Sequence, residues 1–123
     1  MPKVVHFEFH SSDPQRDMKF FTDVFGWQFH KFEGGNHPYW LISGGDEKEP
    51  GINGGIMASP DGQPRTINTI GVSNVDEYTA KATAHGAKIC LPKMTIPGVG
   101  YVVYCTDPGG QVFGIFQSDA AAK

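Results

Sequence analysis

The feature of this sequence that most constrains its fold is an internal repeat with a period of about 60 residues. Three pairs of segments match, at offsets of 61, 60 and 59 residues: Asp13 with Asn74, 25–29 with 85–89, and 55–57 with 114–116. A nearly constant offset along the chain favours a duplicated unit over a chance likeness between two strand–helix segments. We therefore predict two modules within a single domain of 123 residues, namely 1–61 and 62–123.

The first strand of this pattern has two chemically different faces. Residues 4–10 alternate, which predicts that Val5, Phe7 and Phe9 pack under a helix. The opposite face carries three titratable side chains: His6, Glu8 and His10. Because helices cover the apolar faces of the sheets, we expect these polar side chains to line an enclosed cavity.

Helix boundaries are marked in both modules. Asp13, followed by a proline, predicts the start of the first helix, and Gly26 predicts its end. Asn74, with Glu77 three residues later, predicts the start of the second helix, which is expected to end at Gly86. The other strands are predicted over 27–32, 39–43, 53–58, 67–72, 87–91, 101–105 and 111–117. The sequence thus predicts an α+β fold of two tandem βαβββ modules, in which a curved eight-stranded mixed sheet surrounds the cavity and the helices lie outside.

Charge and composition exclude several classes of partner. The chain has 10 Lys and Arg against 13 Asp and Glu, with no basic cluster, so neither nucleic acid nor an anionic membrane is an expected partner. No apolar run approaches the ~18 residues of a membrane span, and no export signal is recognisable, so we expect a cytoplasmic protein. In that compartment Cys90 and Cys105 are expected to be free, buried thiols, with a disulfide between them as the alternative.

Several short motifs are distinctive in combination. They are a strand followed by Asp-Pro, a helix and Phe-Gly-Trp, the turn Asp-Pro-Gly-Gly before the last strand, and the segments INGGIM, IPGVGY and CTDPGG. Together they resemble the vicinal oxygen chelate superfamily, which includes glyoxalase I, extradiol dioxygenases and bleomycin-resistance proteins. The last three segments resemble its small single-domain, glyoxalase-like bacterial members. The resemblance implies a duplicated βαβββ fold and a homodimer, with the modules paired either within one chain or across the dimer.

The resemblance also locates the metal ligands of the superfamily's enzymes, on the first and the last strand of each module. At these positions this chain has His6, Gly55, Ile67 and Gly114. Of the four, only His6 can ligate a metal through its side chain, so the resemblance implies neither a resident metal nor another cofactor. A divalent ion held by His6 and Glu8 with water is the alternative.

Residues at and beside these positions are the candidates for contact with a small-molecule ligand: His6, Glu8, His10, Trp40, Gly55, Met57, Ile67, Thr69, Tyr101, Gly114 and Phe116. The aromatic members suit stacking against a flat ligand. His6 and Glu8 are also the candidates for acid–base catalysis. Which side chains of 39–43 and 101–105 face the cavity is left open, and His10 is alternatively a surface residue at the end of its strand.

Three hypotheses for function follow. The first is a metal-independent protein that binds a small molecule, similar to the bleomycin-resistance branch. The second is a metal-dependent glyoxalase-like lyase or isomerase, or a dioxygenase, with a degenerate site at His6 and Glu8. The third is a protein-interaction module. Stoichiometric metal would favour the second hypothesis, and a filled or collapsed pocket would favour the third.

Overall fold

A computed structural model of the chain describes residues 2–33 and 37–123. The described residues form two compact units, which we call the first unit (residues 6–66) and the second unit (residues 2–5 with 67–123). In chain order the elements are β1 (Lys3–Ser11), α1 (Pro14–Phe25), β2 (Gln28–Lys31), β3 (Tyr39–Ser43), β4 (Gly54–Ala58), β5 (Arg65–Gly71), α2 (Val75–Ala84), β6 (Lys88–Ile96), β7 (Gly100–Thr106) and β8 (Val112–Ser118). This order is βαβββ written twice, which confirms the predicted α+β fold class. The module boundary at 61/62 and the enclosed cavity stay predictions.

Both units have the same strand order and the same mixture of parallel and antiparallel pairs. In the first unit the order is β2-β3-β4-β1, with β1 parallel to β4 and the other pairs antiparallel. In the second unit the order is β6-β7-β8-β5, with β5 parallel to β8 and the other pairs antiparallel. The parallel pair therefore joins the first and last strands of each βαβββ series. Residues paired across it lie on the same face of the sheet.

Helix α1 forms where the sequence predicts it. The side chain of Asp13 accepts a hydrogen bond from the backbone N–H of Arg16 at 3.2 Å, which satisfies one of the donors left open at a helix start. Gly26 has a φ of 74°, a left-handed conformation that glycine adopts without strain, and its N–H donates to the carbonyl of Thr22.

The helix covers the aromatic face of β1. Ring centroids of Phe9 and Phe21 lie 5.3 Å apart, and those of Phe21 and Trp27 lie 4.8 Å apart in a stacked arrangement. Phe7 packs against the same cluster, 6.0 Å from Trp27. The predicted direction of Phe7 and Phe9 is thus confirmed. Val5 is different, because 41% of it is exposed.

The second unit has a separate core beneath α2. Four residues are buried there: Val75, Val103, Cys105 and Ile115. The side chain of Asn74 accepts a hydrogen bond from the N–H of Glu77 at 2.9 Å, as a capped helix start requires. The last helical residue is Ala84, slightly before the predicted end. No helix in the described ranges is both long and apolar enough to cross a membrane.

Strand β6 differs most from its prediction. It extends to Ile96 instead of ending at residue 91, because its pairing with β7 continues past register shifts on either side of Leu91. As the outermost strand of its sheet, β6 tolerates Pro92, whose missing N–H takes no ladder bond. The same edge position leaves Cys90 exposed, so the prediction that both cysteines are buried is wrong for Cys90 and right for Cys105. Both are free thiols, as predicted.

Candidate functional site

Four side chains of the first unit form a hydrogen-bonded group that we call the polar network: His6, Glu8, His10 and Tyr39. The Tyr39 hydroxyl donates to Oε2 of Glu8 at 3.0 Å and lies 3.1 Å from Nε2 of His6. The other carboxylate oxygen, Oε1, lies 2.7 Å from Nε2 of His10. Glu8 is 4% exposed and His10 is 9% exposed, so protein groups take the place of water around this carboxylate.

Strand pairing brings the polar network together. Its three members on β1 alternate along the strand and so share one face. Glu8 is paired with Gly55 on β4, the strand that separates β1 from β3. Since neighbouring strands lie ~4.8 Å apart, Tyr39 on β3 reaches Glu8 only by crossing β4. It crosses at Gly55, where a Cβ atom would fall inside the contact distance of the phenol ring and its hydroxyl.

The hydrogen bonds around Glu8 indicate which atoms of the neighbouring side chains carry protons. An ionised Glu8 only accepts hydrogen bonds, and it therefore requires Nε2 of His10, 2.7 Å from Oε1, to carry a proton and act as the donor. The single hydroxyl proton of Tyr39 goes to Oε2, so Nε2 of His6 is the donor in its contact with Tyr39. Burial lowers the pKa of His6 below its ordinary value of 6.5, although the charge of Glu8 acts in the opposite direction. The imidazole of His6 is therefore favoured in its neutral form.

The corresponding face of the second unit has a different chemistry. Gly114 on β8 is paired with Thr69 on β5 and with Tyr104 on β7. A Cβ atom on Gly114 would lie 3.2 Å from Oγ1 of Thr69 and 3.5 Å from the ring of Tyr104. Ile67, two residues before Thr69 and on the same face, is 2% exposed. In both units, then, a side chain from a neighbouring strand lies beside the glycine of the last strand.

Other predicted ligand contacts share these faces. Met57 is paired with His10 across β1 and β4, so it lies on the face of the polar network. Phe116 lies two residues beyond Gly114 and on the same face of β8. The alternative that His10 is a surface residue is wrong, because the side chain is enclosed and bonded to Glu8.

Two predicted aromatic contacts lie on the opposite faces. Trp40 is paired with Ile56 and packs into the core beneath α1. Tyr101 packs against the core beneath α2. Contrary to expectation, Trp40 does not lie with His6 and Glu8, because it directly follows Tyr39 and successive strand residues point to opposite faces.

The sequence pattern did not predict Tyr39 as a member of the site. Both Tyr39 and Trp40 are aromatic, and apolar residues follow on both faces of this strand, so alternation does not show which one faces the polar side. The available signal was Gly55, a residue without a side chain on the strand beside Glu8. It indicates that a large group from a further strand lies there, but only the register identifies that group as Tyr39.

Comparison with known families adds to this geometry. The sequence model of the Glyoxalase/Bleomycin resistance protein/Dioxygenase superfamily matches residues 3–115. The chain belongs to this superfamily. Its curated relatives include "Putative glyoxylase CFP32" of Mycobacterium tuberculosis, which is 29% identical over 112 residues, covering 89% of this chain and 43% of the relative. The chain therefore spans less than half the length of that relative.

Several solved structures share this fold at low sequence identity. A methylmalonyl-CoA epimerase from Streptomyces coelicolor has a TM-score of 0.70 and 13% identity, with 98% of this chain and 97% of that chain covered. The Mn(II)-bound glyoxalase of Novosphingobium aromaticivorans has a TM-score of 0.63 and 19% identity, with 99% of this chain and 41% of that chain covered. At these identities the likeness shows the fold and leaves the chemistry to the residues of each site.

Those residues do not fit a metal ion in this chain. Among the described residues, no group of three or more His, Cys, Asp or Glu side chains is placed to hold one. His6 is bonded to Tyr39, and both oxygens of Glu8 receive hydrogen bonds. At Gly55 the phenol of Tyr39 fills the space that a ligating side chain would need.

Proposed function

We propose that this chain is a metal-independent member of the glyoxalase superfamily that binds a small molecule through the polar network. One observation carries the proposal. The phenol of Tyr39 lies across Gly55, in the space next to the β4 position that holds a ligand in metal-dependent members, and it is bonded there to Glu8 and His6. The network offers a ligand hydrogen-bonding groups instead of open coordination positions.

The surroundings of the polar network support a role in binding. Tyr39 and Met57 are only partly buried, and Leu41 on the same face is 43% exposed. A ligand on this face would therefore meet apolar side chains around a polar centre, which is the usual composition of small-molecule sites.

The two other hypotheses make different demands on the same residues. A metal-dependent lyase or dioxygenase needs His6 and Glu8 to give up their present hydrogen bonds and turn towards an ion. A protein-interaction module needs no small-molecule ligand at all.

A homodimer in the cytoplasm also remains part of the proposal, supported by the likeness to the small bacterial members.

A binding screen in the presence of a chelator tests the proposal. Small aromatic and hydrogen-bonding compounds are tested for a rise in melting temperature, with EDTA present throughout. We expect some compounds to stabilise the chain in EDTA, because ligands that bind only the folded state raise its stability. The effect should fall in Tyr39→Phe and persist in Tyr78→Phe, an exchange outside the network. Compounds that act only with a divalent metal would contradict the proposal.

A further inference from the structure

Helix α1 exposes several large apolar side chains. Phe20 is 54% exposed, Val24 is 56% exposed and Phe25 is 60% exposed. Phe21 joins the two other rings, because its ring centroid lies 5.1 Å from that of Phe20 and 6.0 Å from that of Phe25. Val24 lies one helical turn after Phe20, so it borders the same rings. These four side chains form a continuous surface, which we call the α1 patch.

The α1 patch is large enough to form the centre of a protein interface. From their exposed fractions, Phe20, Val24 and Phe25 together present roughly 300 Å² of apolar surface. Exposed apolar patches of this size on a single chain are often interaction sites. A stable interface buries ~800 Å² per partner, with an apolar core inside a polar rim. The α1 patch has the area of such a core.

The second unit provides an internal comparison, because α2 is the counterpart of α1 in the repeat. By distance from the N-cap residue, Phe20 corresponds to Lys81. Val24 corresponds in the same way to His85. Both α2 residues are polar and exposed, as is usual where a helix faces water. The fold therefore does not require apolar side chains at these positions, and their presence on α1 indicates a surface that another molecule covers.

The charged side chains of α1 are paired with one another. Nε of Arg16 lies 3.0 Å from Oδ1 of Asp17. Nζ of Lys19 lies 2.6 Å from Oδ2 of Asp23. The helix therefore offers no net charge to a strongly acidic or basic partner. Two copies of this neutral helix can approach each other without like-charge repulsion, although the whole chain has a net charge of −3.

The length of the relatives also favours a second copy as the partner. This chain covers 43% of the mycobacterial relative and 41% of the Novosphingobium glyoxalase. Each of those chains is therefore long enough to include a further domain of this size. A second copy of the present chain would supply an equivalent neighbour without a covalent link.

From these observations we propose that the α1 patch is the surface through which two copies of this chain associate, with α1 of one copy against α1 of the other across a two-fold axis. Such an axis buries the patch against an identical patch. Helix α1 covers the Phe7 and Phe9 face of β1, so the association does not occupy the polar network on the other face. The inference rests on the homodimer of the proposed function and adds the surface that forms it.

The molar mass in solution, measured by light scattering after gel filtration, tests the surface. We expect the wild type to have twice the mass of one chain. The double variant Phe20→Glu/Val24→Glu should have the mass of one chain, with association weakened at least ~100-fold, because a two-fold interface contains each substituted residue twice. Both positions are exposed, so the circular dichroism spectrum should not change. Leu91→Glu is the matched control, since it changes a side chain that is 45% exposed on the edge strand β6, and it should remain a dimer.

The outcomes separate this inference from the proposed function. A dimeric double variant, or dissociation by Leu91→Glu, would overturn the α1 surface and leave the homodimer in place. A monomeric wild type would overturn both the surface and the homodimer. Small-molecule binding is measured separately by the melting screen in EDTA, in which the double variant should respond as the wild type does. If no compound stabilises the wild type there, the proposed binding fails while the mass measurement still decides the surface.

Cysteine cross-linking tests the arrangement of the two helices. The background is Cys90→Ser, because Cys90 is exposed and could itself join two chains. Under mild oxidation, Phe20→Cys or Val24→Cys should give a covalent dimer. Lys81→Cys, at the corresponding position of α2, should stay a single chain. If neither α1 variant is cross-linked, or if Lys81→Cys is cross-linked equally well, the proposed pairing of α1 with α1 is wrong.

Discussion

Replacing Gly55 with alanine should destabilise the chain because the added methyl group and the phenol of Tyr39 cannot occupy the same space. The Cβ atom would overlap the hydroxyl and the ring, which must then move off Glu8. Overpacking costs ~1–3 kcal/mol, and the loss of a hydrogen bond to a charged group costs ~1.5–3 kcal/mol. Gly55→Ala should therefore lower the free energy of unfolding by roughly 2.5–6 kcal/mol, as measured by urea denaturation followed by circular dichroism.

Gly114→Ala is the matched control, because it makes the same exchange at the equivalent strand of the second unit. Its Cβ would lie 3.2 Å from Thr69 and 3.5 Å from Tyr104, so small shifts of these two side chains make room for it. The free energy of unfolding should therefore fall by about 1 kcal/mol or less. Neither glycine has a positive φ, so backbone strain does not enter the comparison. In a Tyr39→Ala background, the cost of Gly55→Ala should fall by at least ~1.5 kcal/mol. Equal costs at Gly55 and Gly114, or no coupling to Tyr39, would refute the reasoning.

Three further outcomes follow from the same contacts. Tyr39→Phe should lower the free energy of unfolding by ~1.5–3 kcal/mol, because Glu8 loses a hydrogen-bond donor. At roughly 4 °C per kcal/mol for a chain of this length, the melting temperature should fall by ~6–12 °C. A shift under ~2 °C, measured by calorimetry, would contradict this. The pKa of His6 is lower in the folded chain than its ordinary 6.5. At pH values between the folded-state pKa and 6.5, the unfolded chain therefore binds more protons than the folded chain does. Stability should rise with pH through that window and fall as the pH drops below 6.5, and urea titrations at several pH values should show a flatter profile in His6→Gln than in the wild type. In the native state a thiol reagent should label Cys90 and leave Cys105 unlabelled until urea is added, which mass spectrometry of peptides can check.

Local sequence signals predicted most of the fold because each acts within a few residues. The alternation of β1, the Asp13 cap and the glycine after α1 do not depend on the rest of the chain. Strand β6 was predicted too short because Pro92 and the register shifts suggest an end, whereas pairing with β7 carries the strand on. Such pairing joins residues far apart in sequence, and no local pattern reports it.

The candidate site was predicted in part for the same reason. His6, Glu8 and His10 were identified because they alternate along one strand. The bond between Glu8 and His10 depends on side-chain conformations that alternation does not determine. The place of Tyr39 depends on the register of two strand pairs, with a glycine between them. Neither of these relations is visible in the order of residues alone.

Metal content tests the central claim most directly. The chain is purified without a histidine tag and loaded in turn with Zn, Ni, Mn and Fe(II). Excess metal is removed and the metal per chain is measured beside His6→Ala. We predict that less than about a tenth of an equivalent is retained, because the phenol of Tyr39 occupies the space at Gly55 and the other ligand positions carry no donors. Retention of about one equivalent per chain, abolished by His6→Ala, would contradict the claim.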